Sequence, residues 1–169
     1  PARDTRHALV IDPGLVWSTY LGGSVAFAVG DRASNVALDP RDGGAIVVGV
    51  TEGAGFPTTP GTFQLPGGKD DVFVAKLSGI DGSLVHSSVL GGSSGQEGPG
   101  DVAVDSLGRA TVTGSTDSPD FPTTPGAFDT KKDSFSRSGF VLRLDPSATS
   151  LEYSTFLETA GGSGATIAV

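Results

Sequence analysis

The sequence predicts an all-β protein built from tandem copies of one four-stranded antiparallel unit. Three observations lead there. Four blocks of text recur in the same order at a spacing of about 67 residues, glycine and proline are abundant at 26 and 11, and no segment sustains a helical hydrophobic period.

The repeats are explicit. Trp17-Ser18-Thr19-Tyr20-Leu21-Gly22-Gly23-Ser24 returns as His86-Ser87-Ser88-Val89-Leu90-Gly91-Gly92-Ser93 and again as Tyr153-Ser154-Thr155-Phe156-Leu157. Val36-Ala37-Leu38-Asp39 returns as Val102-Ala103-Val104-Asp105, and in part as Ile167-Ala168-Val169. Phe56-Pro57-Thr58-Thr59-Pro60-Gly61-Thr62-Phe63 returns as Phe121-Pro122-Thr123-Thr124-Pro125-Gly126-Ala127-Phe128. Phe73-Val74-Ala75-Lys76-Leu77 returns as Phe140-Val141-Leu142-Arg143-Leu144.

Each unit reads as four strands. Strand A falls at 35–39 and 101–105, strand B at 45–51 and 110–116, strand C at 72–77 and 139–144, and strand D at 84–90 and 151–157. The A–B links Pro40-Arg41-Asp42-Gly43-Gly44 and Ser106-Leu107-Gly108-Arg109 are hairpin turns whose glycines supply positive φ. Ile80-Asp81-Gly82-Ser83 makes the C–D turn. Strand C is apolar at nearly every position, which predicts burial on both faces. Between B and C lies an insertion carrying the Phe-Pro-Thr-Thr-Pro-Gly-x-Phe block. Pro60-Gly61 and Pro125-Gly126 predict type II turns, and Phe56, Phe63, Phe121 and Phe128 are expected to tuck against the sheet and pin the loop, each burial contributing roughly 1.5–3 kcal/mol.

Four short antiparallel strands per repeat is the pattern of a β-propeller blade. The expected division is an N-terminal segment, 1–24, ending in an orphan D-type strand at 15–21; a first blade repeat, 25–93; a second, 94–160; and the start of a third, 161–169. A propeller needs about four blades or more, so further blades are expected from a longer chain or from neighbouring copies joining through sheet edges. The start at Pro1, with neither Met nor a signal-peptide pattern, reads as a processed chain or an internal fragment.

Composition narrows the partners. The net charge of -8 disfavours nucleic acid and anionic membrane surfaces. There is no cysteine, hence neither disulfide nor thiolate metal site, and no apolar run reaches membrane-spanning length.

Candidate chemistry is sparse. The two histidines are His7, in a polar N-terminal stretch, and His86, which fills the slot of Trp17 and Tyr153 and reads as an aromatic-like structural residue. Ser87, Ser88, Ser93 and Ser94 belong to the repeat text, so a Ser–His dyad is not expected. Gly91-Gly92-Ser93-Ser94-Gly95 and 161–164 read as turns between blades and not as phosphate cradles, because no helix follows. The carboxylates remain. Asp101 and Asp105, with their counterparts Asn35 and Asp39, lie on inner strands and are the candidate ligands for a hard cation such as Ca²⁺. Asp70, Asp71, Asp117 and Asp120 sit in loops that offer similar oxygens. No catalytic or cofactor-binding residue is assigned.

Together these blocks resemble the SBBP repeat, a bacterial β-propeller repeat family. The resemblance rests on 17–23, 102–108, 112–116, 120–128 and 71–77, and it covers the chain from about Leu9 onward. Departures are His86 and Val89 in place of aromatics, Glu158-Thr159 in place of a glycine pair, and Ile46 and Thr111 where strand B usually has an aromatic. The resemblance implies a secreted or bacterial cell-surface protein and supplies no catalytic residues.

The expected function is a non-catalytic extracellular binding or scaffold module, its loops meeting a surface glycan or protein ligand, with no nucleic-acid partner and no membrane insertion. One alternative is a subunit of a strand-exchanging assembly or filament joined through 15–21 and 165–169. Another is a fragment of a propeller enzyme whose catalytic residues lie elsewhere.

Overall fold

The computed structural model describes residues 14–23, 30–52, 55–65, 67, 69–132, 137–157 and 167. Among them every regular element is a strand. These are β1 (Arg32–Leu38), β2 (Ala45–Thr51), β3 (Gln64–Leu65), β4 (Asp71–Leu77), β5 (Leu84–Leu90), β6 (Glu97–Val104), β7 (Ala110–Thr116), β8 (Ser138–Leu144) and β9 (Leu151–Leu157). They form two sheets, β1-β2-β4-β5-β3 and β6-β7-β8-β9. Each contains a four-stranded antiparallel meander. Strands A to D of the first repeat are β1, β2, β4 and β5; those of the second are β6 to β9.

The B, C and D strands arise where β-branched and aromatic residues run between glycine turns. Ala45–Thr51 and Leu84–Leu90 end where the sequence places them, and β4 is buried at all seven positions. The A strands differ from expectation. They start earlier, at Arg32 and Glu97, and stop one residue before Asp39 and Asp105. Both carry a bulge, between Ala33 and Asn35 and between Pro99 and Asp101. The two-residue β3, parallel to β5, has no sequence forecast.

Residues 15–21, expected as an orphan strand, pair in no ladder among the described residues. They pack on the first sheet nonetheless: Leu21 joins the cluster of Phe56, Phe73, Ala75 and Val89, and Trp17 Nε1 donates to the Gly79 carbonyl at 3.2 Å. The partner stretch 165–169 lies outside the described residues except for Ile167.

The two repeats share a core device. Gly49 pairs with Phe73 and Gly114 with Phe140 across the B–C ladder. Each phenyl ring lies over its glycine, so a Cβ on Gly114 would sit 2.4 Å from Phe140 and 2.5 Å from the Gly98 carbonyl oxygen. Backbone on one side and a packed ring on the other leave no room to shift. Gly114→Ala is expected to lower stability by about 1–3 kcal/mol, read by urea unfolding; an unchanged midpoint would show that the ring moves freely.

The loop block behaves as forecast at three of its four phenylalanines. Phe56 and Phe121 are buried and stack on Phe73 and Phe140 at 4.5 and 4.4 Å. Phe63 is partly buried against the main core. Phe128 corrects the expectation, being 88% exposed. Gly61 and Gly126 have φ of 84° and 79°, as type II turns require.

The sheets lie face to face. Ile46, Val48, Val72, Val74 and Leu90 of the first form one cluster with Val102, Ala110, Val112, Phe140, Leu142, Leu144 and Phe156 of the second. The opposite face of the first sheet, with Phe73, Ala75 and Val89, is the one that Leu21 and Phe56 cover.

Candidate functional site

The seam between the sheets is where chemistry concentrates. Its middle is apolar and its two ends are polar. Backbone bonds cross it. Phe63 N–H donates to the Ala148 carbonyl at 2.7 Å, and the Ser88 hydroxyl donates to the same oxygen at 3.1 Å. Ala148 has φ 55°, a left-handed conformation unfavourable for alanine. Its buried methyl and its doubly engaged carbonyl hold it there. At the other end Glu97 N–H donates to the Asp70 carbonyl at 2.8 Å and Lys69 N–H to the Gly95 carbonyl at 3.0 Å.

Each end opens a cleft. One, of about 510 Å³, is lined by Arg32, Glu52, Lys69, Asp70 and Gln96, a mixed set of charges and an amide at the loop rim. The other, of about 400 Å³, is lined by Thr59, Pro60, Thr62, Lys76, Val85, His86, Pro146, Ser147 and Thr149.

His86 stands in this second cleft. Both ring nitrogens are out of contact with solvent and complete no hydrogen bond, although the Pro146 carbonyl draws on the ring. Burial lowers its pKa, and the Lys76 charge pushes the same way. Its counterpart Trp17 packs its indole on Gly82 and donates to Gly79, at the corresponding C–D turn of the first sheet. The histidine ring is smaller than the indole it replaces. His86→Trp is expected to fill part of the cleft and raise the thermal midpoint by roughly 2–4 °C; a lowered midpoint would show that the slot has no indole-sized space. Ser87 follows His86 on the strand and so faces the other side of the sheet. Ser88 shares the face of His86 but gives its hydroxyl to Ala148. Ser93 donates its amide to Asp120, and Ser94 offers its carbonyl to the Ser118 hydroxyl. His7 lies outside the described residues, as does 161–164.

Of the candidate metal ligands, the three acids Asp39, Asp101 and Asp105 do not converge, and Asn35 lies beside Gly100, next to Asp101. Asp39 is fully buried, with its carboxylate bound by Arg41 at 2.6 Å and by Lys76 at 2.7 Å. The Arg41 bonds, then Lys76, hold its pKa far below the usual carboxylate range despite burial. Burial works against the Lys76 charge, and bonds to Asp39 and Asp42 outweigh it, so that pKa is raised. A carboxylate filled by two cations is a poor metal ligand. Asp105 caps its turn through Leu107 N–H and Arg109 N–H, and it pairs with the Arg109 guanidinium at 2.6 Å. Asn35 donates to the Gly100 carbonyl, and Asp101 accepts from Ile167 N–H at 3.0 Å. Among the described residues no group of three His, Asp or Glu side chains converges on one point.

The loop acids divide. Asp70 accepts from the Gln96 amide at 2.9 Å, Asp117 pairs with Arg137 at 3.5 Å, and Asp120 accepts the Ser93 N–H at 3.0 Å. Asp71 is different, being buried at 4% exposure with its pKa raised by that burial to about 6.

Sequence reasoning missed Glu97 and the role of the Thr-Thr pair. Thr59 N–H bonds the Ser87 carbonyl at 3.3 Å while the Thr59 hydroxyl accepts Ser87 N–H at 3.0 Å. Thr124 and Ser154 repeat both bonds, at 3.0 and 3.0 Å. The recurrence of Thr in the loop and Ser in strand D was the available signal. Glu97 had none, because Asp31 stands near its place in the first repeat and the surrounding Gly-Pro text reads as loop.

Fold and seam together define a tandem-repeat all-β protein whose successive four-stranded sheets stack through side-chain and backbone contacts. A scan against models of known protein families and a search of curated proteins find no match.

Proposed function

We propose that the chain is part of a non-catalytic β-propeller of the SBBP-repeat kind, a binding or scaffold module of the bacterial cell surface or extracellular space. The observation that carries this reading is that contacts from one repeat to the next fall at corresponding positions. Asn35 of the first A strand reaches the Gly100 carbonyl of the second, and Asp101 of the second receives Ile167 N–H of the third repeat. Trp17 meets the C–D turn of the first sheet as His86 meets that of the second. Phe63 is covered by the sheet that follows it, whereas Phe128, its counterpart, stands uncovered where a third sheet would lie. Radial repetition of four-stranded sheets is the propeller arrangement. The polar clefts at the seam ends, made by loops, supply the surface for a glycan or protein ligand.

Two measurements test this. Light scattering of the native particle, beside the intact mass of the denatured chain, gives the number of sheets that assemble. A longer chain whose particle holds about four sheets or more supports the propeller. A stable monomer of 16.9 kDa contradicts it. A chain of that mass in a larger particle favours assembly between copies, the second reading, for which Val36 and Leu38 on the edge strand β1, 63% and 67% exposed, are the supporting observation. The phenylalanine pair gives the second test. In these residues alone, Phe128→Ala is expected to change stability by less than about 0.5 kcal/mol, while Phe63→Ala costs more than about 1 kcal/mol. Equal losses would show that Phe128 already has a covering surface.

A further inference from the structure

Asp71 begins β4 and Glu97 begins β6, so the two carboxyls come from different sheets, and they are 4% and 2% exposed. They meet over Gly91. A Cβ built there would lie 1.8 Å from Asp71 Oδ1 and 3.0 Å from Glu97 Oε2. The two oxygens are therefore within about 5 Å of each other, the range in which one carboxylate opposes ionisation of the next.

Their other partners are few. Asp71 accepts Gly67 N–H, at 3.2 and 3.1 Å to its two oxygens. The Thr116 hydroxyl donates to Glu97 Oε1 at 2.7 Å. Glu97 Oε2 is buried and has no hydrogen-bond partner. The Ser118 hydroxyl and, more weakly, the Gly92 amide pull on the same carboxylate without completing a bond to that oxygen. A buried acceptor left this way is costly, and two adjacent buried anions more so. One proton relieves both costs, since it leaves a single anion at the pair and supplies an O–H for an acceptor that has none. A hard cation such as Ca²⁺ takes about 6–8 oxygen ligands, and among the described residues no third acidic or histidine side chain joins the pair.

We infer that Asp71 and Glu97 share one proton across the seam, forming an acid clasp between the sheets, and that losing this proton loosens that end of the interface. The bonds next to it, Glu97 N–H to Asp70 and Lys69 N–H to Gly95, are the ones the clasp protects.

The charged groups around the pair are Asp70 beside Asp71, Asp120 at Gly92, the Asp117–Arg137 pair, and Lys69, Arg32 and Glu52 at the cleft. Burial raises Asp71 from 3.8 to about 6 and raises Glu97 from 4.5, with Asp71 adding to the latter. The folded state therefore holds the proton more tightly than the unfolded one. The clasp's stability is fully present below the ordinary values and is lost as pH rises through about 6. Asp39, Asp42, Asp105, Asp120 and Asp145 are held low and act in more acid solution. His86, lowered by burial, works in the opposite sense near the same pH, so variants must be compared with the parent.

The test is the thermal midpoint of the full chain, its Glu97→Gln variant and its Asp71→Asn variant between pH 4.5 and 7.5. Either amide can donate to the remaining carboxylate, replacing the shared proton permanently. The parent is expected to lose roughly 5–10 °C relative to Glu97→Gln as pH rises. Hydrogen exchange at Glu97 N–H, corrected for its intrinsic pH dependence, should accelerate in the parent and not in the variant. Parallel midpoint curves for parent and variants overturn the inference. So does a midpoint of the parent at pH 7.5 that Ca²⁺ restores, because a cation would then hold the pair. If neither variant folds, carbon NMR titration of the parent decides. One proton lost well above the ordinary carboxyl range supports the clasp, and two independent titrations near 3.8 and 4.5 overturn it.

Discussion

Phe121→Ala lowers the unfolding free energy by about 3–5 kcal/mol, the cost of emptying a buried aromatic site that cannot collapse. The ring is 2% exposed, stacked on Phe140 at 4.4 Å and tilted against Phe156 at 6.4 Å. It therefore joins the insertion loop to strands β8 and β9 and belongs to the cluster that both sheets share. Phe56→Ala removes the matching ring of the first repeat, but Phe56 stacks on Phe73 alone and sits in the smaller cluster, so its loss is smaller. Denaturant unfolding followed by circular dichroism measures both. If Phe121→Ala leaves the midpoint unchanged, the loop is held by Thr124 and Ser154 without its aromatic anchor.

Asp39→Ala costs about 3–5 kcal/mol, because removing one partner of a buried pair strands the other charge. Lys76 is 5% exposed and would be left with Asp42, whose own side chain is half exposed, as its counter-ion. The second repeat gives an internal control. Asp105 and Arg109 occupy the same turn with side chains 16% and 30% exposed, so Asp105→Ala should cost clearly less than Asp39→Ala. Asp39 also carries a pH signature. Its folded pKa lies below the unfolded value of 3.8, so its stabilisation is present above that pH and is lost on acidification. Asp39→Ala should therefore flatten the acid limb of the stability curve, measured by thermal midpoints from pH 2.5 to 5. An equally steep limb would place the acid sensitivity elsewhere, with Asp145, held at about 2 against its burial by the hydroxyls and amides of its turn, the next group to test.

What the sequence made legible follows the physics of each element. Strands β2, β5, β7 and β9 end at the residues expected because hydrophobic runs meet glycine turns there, and burial and backbone pairing agree. The A strands were misjudged at both ends for the opposite reason. Arg32-Ala33-Ser34-Asn35 and Glu97-Gly98-Pro99-Gly100 carry no apolar alternation; ladder pairing to β2 and β7, around a bulge, makes them strands. Residues 15–21 copy the text of strand D without its ladder partner, so side-chain packing and the Trp17–Gly79 hydrogen bond fix them. Phe128 copies Phe63 in sequence and differs in burial, because Phe63 packs on the core shared by both sheets and Phe128 meets no such surface among the described residues.

The candidate site was less legible than the fold. Repeat text pointed to Asn35, Asp39, Asp101 and Asp105, but two of these are consumed by neighbouring cations and two by backbone groups. Asp71 was visible only as one of several loop acids. Its meeting with Glu97 depends on how one sheet is set on the next, a long-range relation that no local pattern encodes.

The central claim is that the two sheets are held to one another across the seam, and the most direct test is to detect the hydrogen bonds that cross it. Through-hydrogen-bond NMR couplings on isotopically labelled protein, recorded in mild acid, should connect Phe63 N–H to the Ala148 carbonyl and Glu97 N–H to the Asp70 carbonyl, alongside the ladder bonds within each sheet. If ladder couplings are present while both cross-seam pairs are absent and their amides exchange freely, the sheets are independent units and the stacked arrangement is wrong.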